Sequence, residues 1–98
     1  MTGLAAWLGT RTADAPPPLR ECVREYAGRA HGTDPAQALA SAGRQALARA
    51  TESPGDRSSA LDLLAADGLI TLALLWTAEH EPARLASVAL DLAAMPPS

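Results

Sequence analysis

Five side chains stand out as candidates for chemistry: Cys22, His31, Asp62, Asp67 and His80. Their spacing argues against most of it. His80 is followed directly by Glu81 and Pro82, which is not the HExxH zinc pattern, and no CxxC or HxxxH pair exists. No metal and no cofactor is expected. His31 and His80 both fall at expected helix C-termini, where the dipole favours a protonated imidazole, so each reads as a cap or a surface residue. Cys22 has Arg20 and Arg24 near it, which would lower its pKa, but it sits inside a helix beside an apolar stripe. A buried, inert thiol is the reading that fits. GxSxG, GxGxxG and GxxxxGK are absent, and all eight basic residues are arginine. Without lysine there is neither Schiff-base chemistry nor a phosphate-loop lysine.

Asp62 and Asp67 resemble a carboxylate pair until their spacing is considered. Five residues turn them about 140° apart on a helix, so they cannot act together on one substrate. Asp62 lies in the first turns of its helix, where a carboxylate stabilises the N-terminus. Asp67 lies deeper in an apolar stretch and is the polar residue with a possible function. An Asp67 paired with Arg44, Arg49 or Arg84, or reaching solvent, is the structural reading. An enzyme that uses Asp67 with an arginine is the catalytic alternative, and no catalytic residue is assigned on it. Leu63-Leu64-Ala65-Ala66-Asp67-Gly68-Leu69, followed by an apolar run, resembles a helix of isoprenyl diphosphate synthases. The DDxxD motifs that would bind magnesium and diphosphate are missing, so the resemblance carries over no activity.

The stretch that must position these groups is Asp56 to Glu81, whose apolar residues run almost all the way round a helical wheel. Leu61, Leu64, Ala65, Leu69, Leu72 and Trp76 mark one face, and Leu63, Ile70, Leu74 and Leu75 cover much of the rest. A helix apolar all round is expected to be buried. Its uninterrupted apolar run, Gly68 to Ala78, is too short to span a bilayer, so no membrane segment is expected. Before it, Asp34 as cap, Pro35 at the first helical position and Gln37 three residues on announce another helix. Small residues along that helix, Gly43 among them, suggest a close crossing with a neighbour. Asp56 or Ser58 is the expected cap of the central helix, with Ser59 and Asp62 as an alternative capping box. Pro16-Pro17-Pro18 reads as a stiff extended spacer, and Pro82 opens a last helix.

The expected architecture is all-α: one domain over residues 1–98, a compact bundle of four main helices at about 18–31, 34–51, 57–80 and 82–95. A short N-terminal helical segment and proline-rich linker, residues 1–17, precede it. Alanine is the commonest residue and phenylalanine is absent, which favours helices packed closely through small side chains. A net charge of −3 argues against nucleic acid as a partner. One cysteine and no basic-then-apolar N-terminal stretch make a cytoplasmic location the expectation. Function is not derivable in detail. The favoured expectation is a non-catalytic module acting by self-association, as a homodimer, or by pairing with another protein chain. Ala86, Leu90 and Ala93 form its expected contact strip, with Trp7 either in the interface or folded over the strip. The alternative is a binder of a small apolar ligand in a pocket near Trp76.

Overall fold

The computed structural model describes residues 2–30, 34–52 and 55–94, the side chain of Thr2 aside. Five α-helices follow one another: α1 Thr2–Arg11, α2 Pro17–Arg29, α3 Pro35–Glu52, α4 Arg57–His80 and α5 Leu85–Ala93. A 3₁₀ turn, Pro82–Arg84, leads from α4 into α5, and no strand occurs among the described residues. The all-α bundle expected from the sequence is the fold.

α3 and α4 are the principal pair, and their contact is built from small side chains. Leu39, Ala42 and Ala46 of α3 join Ala65, Ala66, Leu69, Leu72 and Ala73 of α4 in one core cluster. Leu39 and Leu69 are fully enclosed. At Gly43 the helices come close enough that an added Cβ would lie 3.0 Å from Ile70 Cγ1 and 3.5 Å from the Ala66 carbonyl. The close crossing anticipated there is present. α2 adds Val23 and Tyr26 to the core, and α5 adds Val88. Thr77, enclosed on α4, satisfies its hydroxyl by donating to the Ala73 carbonyl at 2.9 Å.

Local signals explain where the helices start and stop, with two adjustments. Asp34 caps α3 as expected: its Oδ1 accepts the Gln37 backbone N–H at 2.9 Å. Asp56 occupies the cap position of α4 but makes no side-chain bond to the backbone. It accepts instead from the Ser58 hydroxyl at 3.4 Å. The prolines divide their roles. Pro16 alone is extended, at φ −55° and ψ 143°, while Pro17 and Pro18 form the first turn of α2, where a missing N–H costs nothing. α1, the expected N-terminal helical segment, runs to Arg11, and Thr12 closes it by bonding the Leu8 carbonyl through both N–H and hydroxyl.

The largest correction concerns α4. Its inner face is buried, but Leu63 and Leu64 are 54% and 56% exposed, and Leu75 is exposed too. Among the described residues α2, α3, α5 and the Trp7 end of α1 pack against α4, and they leave these leucines uncovered. By length and composition α4, whose most apolar 18-residue stretch has a mean hydropathy of 1.6, could cross a membrane. Leu69, Ala73 and Thr77 are instead enclosed within the bundle.

Candidate functional site

Polar side chains come together at two places. The first joins α2 to α4. Tyr26 Oη donates to Asp62 Oδ1 at 2.8 Å, and the Cys22 thiol lies 3.8 Å from the same oxygen. Cys22 and Tyr26 are four residues apart, so both leave one face of α2 toward that carboxylate. Burial, then the hydrogen bond and negative charge of Asp62, push the Tyr26 phenol up to about 12. Burial and Asp62 likewise raise the Cys22 thiol. Both groups are thereby held protonated, which makes Cys22 a poor nucleophile. The cluster is a polar tie between helices.

The second place joins α1 to the last turn of α4. Trp7 packs edge-on against Trp76, centroids 5.3 Å apart, and its indole N–H donates to Glu79 Oε1 at 3.0 Å. Arg11 pairs with the other Glu79 oxygen and lies over the Trp7 ring. The Trp7 and Arg11 hydrogen bonds hold the Glu79 carboxyl below its usual range. His80 stacks flat on Trp76 at 3.8 Å, with Nδ1 3.0 Å from the Trp76 carbonyl. His80 is thus a helix-end residue, as expected. His31 lies outside the described residues.

Asp67 is exposed. Among the described residues no ion pair ties it to Arg44, Arg49 or Arg84, and Arg84 instead bonds Glu81 at 2.8 Å and approaches Asp34 at 3.5 Å. Of the expected alternatives for Asp67, the structure shows the one that reaches solvent. No cluster of three potential metal ligands occurs among the described residues.

Apolar surface is the more prominent feature. On α5, Ala86, Leu90 and Ala93 are all exposed, Leu90 by 70%. Trp7 does not fold over them; it packs on Trp76. On α4, Leu61, Leu64, Gly68, Thr71, Leu75 and Ala78 form a stripe at alternating steps of three and four. Leu64, Thr71, Leu75 and Ala78 are exposed, and Leu61 and Gly68 are half-exposed. This stripe was hidden from sequence reasoning by the assumption that an all-round apolar helix is covered all round. The Asp62 tie was missed as well. Its available signal was that Tyr26 on an inward face needs an acceptor for its hydroxyl. Among the described residues one cavity lies between α1 and α2 and another between α3 and α5, and Trp76 lines neither. Compared with protein families, curated proteins and solved structures, isoprenyl diphosphate synthases included, the chain matches none.

Proposed function

We propose that this chain is a non-catalytic interaction module, cytoplasmic in location, that pairs with a second copy of itself through the outer face of α4. One observation carries the reading. The stripe is symmetric about the point between Leu69 and Ile70: Leu64 and Leu75 are equidistant from it, and so are Gly68 and Thr71. A two-fold axis at that point sets Leu64 of one copy against Leu75 of the other in an antiparallel pair. The small central residues let the backbones approach, and the leucines close both ends. Isologous contacts of this kind are self-complementary, which is why two-fold dimers are the commonest assembly. Arg57 then falls near Glu81 of the other copy, a complementary charge at each end of the contact. Asp67 flanks the stripe and faces solvent, consistent with a register role and no catalytic one. The Ala86, Leu90 and Ala93 strip of α5 extends the apolar surface available for association.

Size exclusion coupled to light scattering tests the proposal on wild type, Leu64→Glu, Leu75→Glu and Leu90→Glu. The expected wild-type mass is near twice the 10.1 kDa of one chain. Either α4 variant returns a monomer, because a charge at the seam is desolvated on pairing. A dissociated Leu90→Glu adds the α5 strip to the interface. A wild-type monomer at every accessible concentration overturns self-association and leaves pairing with a different chain.

A further inference from the structure

The cavity between α1 and α2 has a volume of about 400 Å³, and Ala38 of α3 also lines it. Leu4 and Leu8 of α1 face Val23 and Ala27 of α2 across it. Both ionised groups on its walls are arginines, Arg20 and Arg24, and no carboxylate lines it. That is selective placement in a chain where acids outnumber bases 11 to 8. Neither arginine is ion-paired among the described residues. Arg20 is oriented by donating to the Ala13 carbonyl at 3.2 Å, and Arg24 is exposed beside it, one helical turn on. The cavity between α3 and α5 differs in its charges. Asp91 lines it together with Arg44 and Arg84, and Arg84 is already engaged by Glu81 and Asp34.

We propose that the α1–α2 groove binds a single-chain aliphatic carboxylate, its tail between Leu4, Leu8, Val23 and Ala27 and its headgroup on Arg20 and Arg24. An apolar cleft with a few convergent polar groups is the usual form of a small-molecule site, and this volume lies at the lower end of the range. The cleft is large enough to take a single alkyl chain. Arginine pairs a carboxylate with two parallel hydrogen bonds, which fixes the headgroup at the mouth. α1 forms one wall of the groove. It is tethered to α2 by the short 12–16 segment and fastened to α4 through the Trp7 and Arg11 contacts with Glu79.

Dodecanoate is the probe, with dodecanol and dodecyltrimethylammonium as neutral and cationic counterparts. Titration calorimetry gives the affinities, and amide chemical shifts locate the chain. Gly28 lines the groove, and a Cβ there meets nothing within 4 Å, so Gly28→Leu fills the groove without disturbing α2; circular dichroism checks that the helices persist. The expected result is shifts confined to α1, α2 and the start of α3, with dodecanoate preferred over both counterparts. Gly28→Leu should lower dodecanoate affinity at least about 10-fold by occupying the tail position. The double variant Arg20→Gln, Arg24→Gln should lower dodecanoate affinity about 10-fold, the loss of a charged hydrogen bond, and leave dodecanol unchanged. Absence of binding, shifts centred on Leu63, Leu64 and Leu75, or a folded Gly28→Leu that binds as well as wild type would each overturn the proposal.

Discussion

Two mid-helix glycines should respond to the same substitution with opposite sign. Replacing glycine by alanine inside a helix gains about 0.8–1 kcal/mol of propensity. At Gly68 a Cβ meets nothing within 4 Å, so Gly68→Ala should stabilise the dilute protein by nearly that full amount. At Gly43 the same methyl arrives 3.0 Å from Ile70 Cγ1 and 3.5 Å from the Ala66 carbonyl and the Ile70 amide. Ile70 is β-branched and half-buried in α4, with essentially one χ1 well open to it, so it yields only if the helices separate. Overpacking of this kind costs roughly 1–3 kcal/mol. Set against the propensity gain, Gly43→Ala should destabilise by about 1 kcal/mol, which places the two variants about 2 kcal/mol apart. Urea denaturation followed by circular dichroism measures both, and the double variant Gly43→Ala, Ile70→Ala isolates the contact. Removing Cγ1 should recover most of the loss at Gly43, as a coupling between neighbours. A Gly43→Ala protein as stable as Gly68→Ala would refute the close crossing of α3 and α4. The Gly68→Ala gain should also shrink as concentration rises, because the added methyl lies at the centre of the proposed self-contact.

Other consequences are checked as directly. Leu72→Ala, in the core beside Leu69, should lose about 2–5 kcal/mol in urea, and a loss under ~1 kcal/mol would mean α4 is not central. Tyr26 is the one tyrosine in the chain, so alkaline absorbance reports it alone, with an expected midpoint about 12 when folded and near its ordinary ~10 in urea. The raised folded value means that its contribution is intact below pH ~10 and lost as pH climbs through the folded midpoint; a folded midpoint near 10 would contradict the bond to Asp62. Glu79, held low by Trp7 and Arg11, should secure α1 above its ordinary titration and release it as acid passes below that range. Glu79→Gln should therefore show altered tryptophan emission at neutral pH, and emission identical to wild type there would count against the fastening.

Much of the bundle was legible because its signals are local. Asp34, Pro35 and Gln37 announce the start of α3 within four residues, and the turn residue Gly55, at φ 90°, marks the α3–α4 corner. Gly43 told of the crossing because a glycine in the middle of a helix needs a reason. The polar tie was not legible in the same way. Tyr26 and Asp62 are 36 residues apart, and no periodicity in either helix links them. Asp62 also had a sufficient local explanation, the helix dipole, that concealed its second role. α4 shows a different limit. Hydrophobicity predicts which surfaces leave water, but it does not say whether this chain or another molecule covers them. Leu64 was therefore identifiable as apolar and not as exposed, whereas Leu90, expected in a contact strip, is 70% exposed.

The fastening of α1 also sets an order of events. Trp7 and Glu79 are 72 residues apart, whereas α3 and α4 are joined through residues 53–56 alone. Closing a long loop before its contacts reward the entropy is slow, and short-range contacts form first. The α3–α4 hairpin is thus the natural nucleus, α2 docks on it through Val23 and Tyr26, and α1 arrives last. Both tryptophans, Trp7 and Trp76, sit at that final seam. Their emission therefore times the completion of the fold, and on refolding it should trail the recovery of helix.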